Sequence, residues 1–451
     1  MISVSVSQVS PANAGHRRQR LFAGRSMNTS PVMAPTNQSV DRTVGRSCRR
    51  SLSTPSVMRM SKLSAQRRKV GNAAFAALRD AAFDQKPVQG WTHNFYRYPA
   101  RFSPRFASTV IEHFSRPGDL VADPFMGGGT SIVEALVAGR NAIGNDLNSL
   151  AVLITKAKIT HLRPDDVKSI TAWARTVVPT FKYRSQVDEQ HLIEETNRIT
   201  NLSLLRARFI KKAIALAIGS ISFLPSPDAQ QFARCAVLRV AQWALDGRRR
   251  HTALNDFRLR LSTLTESMLA SVTSLSQCIQ AKGGSAMLLN SDASGLGKCP
   301  FFENPASRAS LVVTSPPYPG VHVLYHRWQV DGRRETPAPY WIANCNDGKG
   351  ASYYNFGERR RVLNDYFRIQ LENFRSIRSI MRDGAYIVQL VAFRDEKEHL
   401  SHYLENMRIA GFTELRSTDR IWRRVPNRKW HASLRGNTSS AHEVVLVHRA
   451  V

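Results

Sequence analysis

The sequence predicts an α/β fold: a doubly wound, mostly parallel sheet with a helical insertion between its two parts and a basic tail in front. Short apolar runs alternate with segments of helical spacing over residues 71–160 and again over 284–451, the pattern of βα units that build such a sheet. Glycines 127, 128 and 129 stand between the first run and its helix, where a tight turn lets backbone approach a ligand. Residues 161–283 carry helical spacing throughout, which marks an insertion. A chain of 451 residues, 42% hydrophobic and 22% charged, suffices for a full core in two or three structural units.

Each element follows in order. Residues 1–70 hold 13 Lys and Arg against one acid, Asp41, and show no sustained period, so they read as a disordered tail. A transit peptide and an over-long start, with Met27, Met58 and Met60 as further initiators, fit the same composition, and all three readings stay open. "NAAFAALRDAAF" has helical spacing. "DLVAD" is a buried strand, "PFMGGGT" a glycine loop and "SIVEALVAG" a helix ended by Gly139; "NAIGND" and "NSLAVLITKAK" repeat the strand and helix.

The insertion has helices over "LLRARFIKKAIALAIGSI", "QQFARCAVLRVAQWAL" and "FRLRLSTLTESMLASVTSLSQCI". "AMLLNSDAS" is a third strand, and "ASLVV" a fourth that runs into Ser315, Pro316, Pro317 and Tyr318. The prolines fix φ and remove backbone donors, so they end the strand and hold an extended loop at its carboxyl edge. "LNDYFRIQLENFRSIRSIMRDG" is an amphipathic helix closed by Gly384. "AYIVQLVAF" is a buried strand, "HLSHYLENMRIAGF" a helix and "AHEVVLVHRA" the last strand.

The net charge is +30, of which the tail holds +12, so the body is basic in its own right. That excess favours polyanionic partners, nucleic acid above all. Five cysteines without a CxxC pair argue against a disulfide framework and a structural zinc site and fit a reducing cytosol; no metal is expected. No run approaches the ~18 apolar residues of a spanning helix. The expected location is cytoplasmic and nucleoid-associated, with no membrane partner and with organellar targeting by the tail as the open alternative.

Asp146 closes the second strand 23 residues after Asp123, a place from which an acid accepts hydrogen bonds from ribose hydroxyls. The loop is neither G-x-G-x-x-G nor G-x-x-x-x-G-K-[ST]. "DPFMGGGT", with "GND" downstream and "TSPPY" beyond, closely resembles the amino-group DNA methyltransferases, which use S-adenosylmethionine and methylate cytosine N4 or adenine N6. The resemblance covers residues 90–160 and 284–451 and implies a Rossmann-like methyltransferase core, cofactor loop first and catalytic loop second. It implies cofactor contacts from Asp123, Pro124, Phe125, Gly127, Gly129 and Thr130, a ribose contact from Asp146 and an adenine-side acid in Asp292. From "YRYPARFSPRF" it implies that Phe102 and Pro104 pack over the methionine end, with ordinary core packing open for Phe102.

An exocyclic amine is a poor nucleophile because its lone pair is delocalised into the ring. Acceptors for its two protons push the nitrogen toward tetrahedral geometry and aim the lone pair at a methyl donor. By the resemblance, Ser315 Oγ and the Pro316 carbonyl are those acceptors, the prolines hold the carbonyl still, and Tyr318 stacks on a flipped base, worth ~1–3 kcal/mol. A core tyrosine is the other reading of Tyr318. A covalent route would need a thiolate, and this loop has no cysteine.

Serine at the first position of the motif leans toward cytosine N4, Asp or Asn toward adenine N6. The expectation is an N4-cytosine DNA methyltransferase in a restriction–modification setting, acting on double-stranded DNA with base flipping and partnered by a cognate restriction endonuclease. An adenine-N6 enzyme, a tRNA amino-methyltransferase and an idle nucleic-acid-binding protein are the alternatives. For DNA contact the insertion offers Arg234, Arg239 and Arg248–Arg250, against a plain packing role. Residues 325–361, basic, aromatic and loop-like, are favoured for target recognition, with 420–436 as a third candidate.

Overall fold

A computed structural model of the chain describes residues 4–7, 70–84, 86–98, 103–185, 207–248, 252–319, 328–330, 333–336, 338–345, 360–393, 396–424 and 442–451. The first part runs β1 (Val4–Ser7), α1 (Asn72–Ala82), α2 (Pro104–Phe114), β2 (Leu120–Asp123), α3 (Thr130–Val137), β3 (Asn141–Asn145) and α4 (Ser149–Ile159). The insertion supplies α5 (Pro164–Ala172), α6 (Arg208–Ile221), α7 (Pro227–Leu245) and α8 (Leu254–Lys282). Then come β4 (Ala286–Leu289), β5 (Ala309–Thr314), β6 (Trp328–Val330), β7 (Arg333–Thr336), α9 (Ala338–Ala343) and α10 (Arg360–Ser379). β8 (Met381–Ala392), α11 (Glu396–Ile409), β9 (Phe412–Leu415), β10 (Ile421–Arg424) and β11 (His442–Ala450) complete the order.

Among the described residues the main sheet has the order β1-β4-β3-β2-β5-β8-β11-β10, with β9 also on β11. Pairing is parallel from β1 through β8, and β11 enters antiparallel to β8. The chain moves outward from β2 to β3 and β4, then returns to the other side of β2 at β5. Strand order therefore reverses between β2 and β5, and the crevice beyond their carboxyl ends is where such sheets bind ligands. This is the doubly wound, Rossmann-like order expected.

Successive strand residues point to opposite faces, and both faces are covered. Val121, Leu311, Val388 and Val445 pack with α1, α2 and α3; Ala122, Val312, Ile387 and Val444 pack with α10 and α11. A third core joins α4, the insertion helices, Tyr96 and Tyr98 to Trp328, Val330, Tyr340 and Ile342. The insertion is thus a helical layer that carries the segment following the catalytic loop. No described helix is long and apolar enough to cross a membrane.

Four expectations change. Val4–Ser7, expected in a disordered tail, is a strand paired parallel with β4, as the β-branched alternation Val-Ser-Val-Ser favours; residues 8–69 lie outside the described residues. Gly384 does not close α10: the helix stops at Ser379, and Gly384 (φ 77°) sits at a bulge inside β8, between the pairs Ala309–Met381 and Leu311–Tyr386. Trp328 and Tyr340, expected in a DNA-facing loop, are each 2% exposed, because burying these rings on the third core removes apolar surface from water. Trp328 Nε1 also donates to Tyr96 OH at 2.9 Å.

The fourth concerns the insertion's arginines. Arg234 donates to the Ile342 carbonyl at 2.9 Å and Arg239 to the Asn94 carbonyl at 3.3 Å, so both tie backbone segments together rather than reaching outward to phosphates. Arg248 stacks on Trp243, 4.4 Å from the ring centroid. Residues 249 and 250 and most of 420–436 lie outside the described residues.

Candidate active site

The glycine loop between β2 and α3 is held from beneath by α4. Gly127 (φ 48°) and Gly129 (φ 71°) adopt left-handed backbone, which a side chain resists. A Cβ on Gly129 would stand 2.5 Å from Thr155, and one on Gly127 3.0 Å from the Tyr98 ring. The buried Lys158 ammonium donates to the Gly128 carbonyl. Tyr98 therefore covers Gly127 and Gly128, the place the sequence gives to Phe102 and Pro104. Phe102 lies outside the described residues. Pro104 is the first residue of α2, behind a Ser103 cap that accepts from Phe106 N at 3.1 Å. The Tyr98 segment is anchored on α3 by His93 Nε2 and Glu134 Oε1, 2.6 Å apart and buried.

Asp123 ends β2 with its carboxylate turned inward, 1% exposed. One oxygen accepts from Phe125 N at 3.1 Å and Thr314 Oγ1 at 2.7 Å; the other accepts from Ser131 Oγ. Burial pushes its pKa up to about 6 against these hydrogen bonds. Thr314 is the last residue of β5, so Asp123 ties the glycine loop to the start of the Ser-Pro-Pro-Tyr loop across the switch point. Its place in this site is that of an organiser. Pro124 is buried, with its carbonyl accepting from Asn145 Nδ2 at 3.1 Å; Thr130 is buried as the first residue of α3.

Asp146 follows β3 and is partly exposed. Its oxygens accept from Gly127 N at 2.8 Å and Asn148 N at 2.9 Å. An ionised carboxylate offers about four lone-pair sites, so acceptor capacity remains on the exposed side. Desolvation pushes it up to about 6, opposed by the same two N–H groups. Asp292, three residues past β4, accepts from Ser294 N at 2.9 Å and caps the turn Ala293–Lys298. Asn145 was not singled out in the sequence, yet its amide bonds Pro124 O, Ser291 O, Ser291 N and Ser291 Oγ at 2.9–3.2 Å. It stitches the ends of β2, β3 and β4 together.

The Ser-Pro-Pro-Tyr loop is fixed by distant elements. Ser315 Oγ lies 3.0 Å from the Leu390 carbonyl of β8 and 3.0 Å from Tyr318 OH. Tyr318 OH donates to Glu443 Oε1 of β11 at 2.9 Å, and Arg423 of β10 holds Glu443 Oε2 at 2.6 and 2.9 Å. Tyr318 is consequently 3% exposed, and the open stacking face expected for it is corrected: its hydroxyl is drawn into the core by a buried carboxylate. Tyr366 OH of α10 donates to the Pro317 carbonyl at 2.8 Å, whereas the Pro316 carbonyl accepts no hydrogen bond among the described residues. Phe125, Pro316, Pro317, Tyr366 and Phe374 line an open cleft of about 270 Å³, and the buried Asn373 Oδ1 beside it has no partner among the described residues.

Comparison with known proteins places this geometry. A DNA methylase family model, N6_N4_Mtase, matches residues 52–157. The Type II methyltransferase M.MvaI of Kocuria varians is 40% identical over 76 residues, 16% of this chain and 17% of that protein. M.MjaII of Methanocaldococcus jannaschii is 31% identical over 94 residues, 20% of this chain and 18% of that protein. The chain thus spans less than a fifth of the length of these relatives in the matched stretch. Among solved structures, TrmN from Thermus thermophilus aligns at 11% identity and TM-score 0.30 over 77% of this chain and 49% of its own. The rRNA methyltransferase aviRa from Streptomyces viridochromogenes aligns at 10% and 0.30 over 79% and 89%. Through the segment that holds the glycine loop and its two acids, this chain belongs to the amino-group (N4/N6) DNA methylase family.

Proposed function

We propose that this chain is an S-adenosylmethionine-dependent DNA methyltransferase acting on the exocyclic N4 of a cytosine flipped out of duplex DNA. The observation that carries the reading is the 2.7 Å bond from Thr314 Oγ1 to Asp123 Oδ1. It fixes a glycine loop and a Ser-Pro-Pro-Tyr loop side by side at the switch point, where a methyl donor and a target amine must meet. The family uses S-adenosylmethionine, which supplies an electrophilic sulfonium methyl when bound. Spare acceptor capacity on Asp146 and the aromatic wall of Phe125 suit its ribose and heterocycle.

The chain's own residues do the rest. Ser315 Oγ and the Pro316 carbonyl accept from the amine, tilt its lone pair toward the methyl group and hold it in line. Pro317, clamped through its carbonyl by Tyr366, keeps the loop from shifting. A base must leave the duplex to reach this edge, and the basic body supplies the phosphate contacts that hold DNA meanwhile. Serine at position 315 points to cytosine. The relatives' Type II names support a restriction–modification setting with a cognate endonuclease.

Mass spectrometry of nucleosides from DNA of cells expressing the chain is the test, and N4-methylcytosine is the expected product. N6-methyladenine would move the target to adenine on the same scaffold. Unmodified DNA with newly methylated tRNA would end the DNA reading.

A further inference from the structure

The Ser-Pro-Pro-Tyr loop ends in a buried chain of polar groups whose proton count is informative. Arg423 Nε and Nη2 donate to Glu443 Oε2 at 2.9 and 2.6 Å, and Arg423 Nη1 donates to the Ala82 carbonyl at 2.7 Å. Glu443 is 1% exposed. A guanidinium is a permanently charged donor, and its two-pronged grip keeps Glu443 a carboxylate. A carboxylate only accepts, so the 2.9 Å contact between Glu443 Oε1 and Tyr318 OH uses the single tyrosine proton.

With that proton committed, the Tyr318 oxygen is an acceptor across its 3.0 Å contact with Ser315 Oγ. The Leu390 carbonyl, also 3.0 Å from Ser315 Oγ, is an acceptor by nature. Both inward neighbours of Ser315 therefore call for its one proton. Only lone pairs remain on Oγ toward the partly exposed side of the loop.

We infer that the Arg423–Glu443–Tyr318 chain orients the Ser315 hydroxyl inward, making it a fixed acceptor that takes an amino group on the target base and rejects an oxo group at the same ring position. The inference rests on the methyltransferase reading and deepens it. Glu443 and Arg423 are positioning residues: they act on the base through Tyr318 and Ser315 and touch neither substrate. The same chain gives Tyr318 its role, through its hydroxyl rather than its ring face. A neutral amide at position 443 could donate to Tyr318 instead. The chain could then run in reverse and turn the Ser315 proton toward the amine.

Single-turnover methylation of unmethylated plasmid DNA is the experiment, run beside S-adenosylmethionine and duplex binding, for wild type, Glu443→Gln, Glu443→Asp and Tyr318→Phe. Glu443→Gln should slow methyl transfer roughly tenfold or more while both dissociation constants stay within about twofold, since an interaction made only in the transition state moves the rate and not the binding. Glu443→Asp keeps the charge and should recover part of the rate. Tyr318→Phe keeps the packed ring, removes the link and should match Glu443→Gln, so the inference can be read even if the amide variant fails to fold. A wild-type rate in Glu443→Gln or Tyr318→Phe, an aspartate no faster than the amide, or binding that weakens in step with rate overturns it. A wild-type chain that binds S-adenosylmethionine but methylates no DNA overturns the methyltransferase reading itself, whatever the variants do.

Discussion

The loop after β2 and the loop after β5 leave neighbouring strands, but their partners lie at very different distances along the chain. Asp123 accepts from residues two and eight positions on, and the glycines are covered by Tyr98, Thr155 and Lys158, all within about 30 residues. Ser315 and Tyr318 depend on Leu390 and Glu443, 75 and 125 residues away. The first loop is largely a product of local backbone geometry. The second is a product of the finished sheet, and the Thr314–Asp123 bond is where the two meet, 191 residues apart in sequence.

Breaking that junction should have the largest effect. Asp123→Ala leaves the Ser131 and Thr314 hydroxyls and the Phe125 N–H without their acceptor, at about 1–3 kcal/mol each. Relief of a buried charge offsets part of this, for a net loss of about 3 kcal/mol in urea unfolding at unchanged m-value. S-adenosylmethionine binding should fall with it. A loss under about 1 kcal/mol would show that the two loops are joined by other contacts.

Testing the local loop alone gives the next effect. Gly129→Ala forces a side chain into left-handed backbone and to within 2.5 Å of Thr155, and should cost about 2 kcal/mol. Cofactor affinity should drop, while any enzyme that remains loaded should turn over normally. A slow but fully loaded Gly129→Ala enzyme would contradict the separation of the two loops.

That separation also explains what could be read from the sequence. Asp123, the three glycines and Asp146 lie on one βαβ unit, where strand period, positive φ and helix start all leave marks in neighbouring letters. "YRYPARF" offers several aromatic rings, and nothing local says that Tyr98 turns onto the glycines; that choice rests on the His93–Glu134 anchor, 41 residues apart. Glu443 looks like a solvent-facing charge at the mouth of an alternating strand. It becomes buried only because the β10–β11 register sets Arg423 opposite it. Trp328 and Tyr340 read as loop aromatics because their burial partners sit on insertion helices almost 100 residues earlier.

The ribose-side acid gives a smaller, pH-dependent effect. Asp146 titrates near 6, raised by burial, and only its ionised form accepts from hydroxyls at full capacity. Cofactor affinity should therefore fall as pH drops through about 6 and recover above it. One unit below that value the loss approaches tenfold, about 1.4 kcal/mol, and titration calorimetry between pH 5 and 8 would follow it. Stability has the opposite sign. A folded-state pKa above the unfolded one contributes stability that is full below the unfolded value and lost as pH rises through about 6. Asp146→Asn should bind weakly with a flat profile across that window; a profile that still bends near 6 would assign the titration to Asp123, whose carboxyl is raised to a similar value.

The smallest effect tests the distant loop through its outer clamp. Tyr366→Phe keeps the ring that walls the cleft and removes one hydrogen bond to the Pro317 carbonyl, worth about 1 kcal/mol. That carbonyl borders the open cleft, so water can replace the lost donor and stability should barely change. The Pro316 carbonyl, one peptide earlier, loses a rigid neighbour. Methyl transfer should slow about fivefold with cofactor affinity unchanged, because positioning errors appear in the rate before they appear in binding. If Tyr366→Phe weakens S-adenosylmethionine binding while sparing the rate, the ring and its hydroxyl serve the cofactor side of the cleft. Position 366 would then belong with the glycine loop, despite a helix that starts more than 200 residues after it.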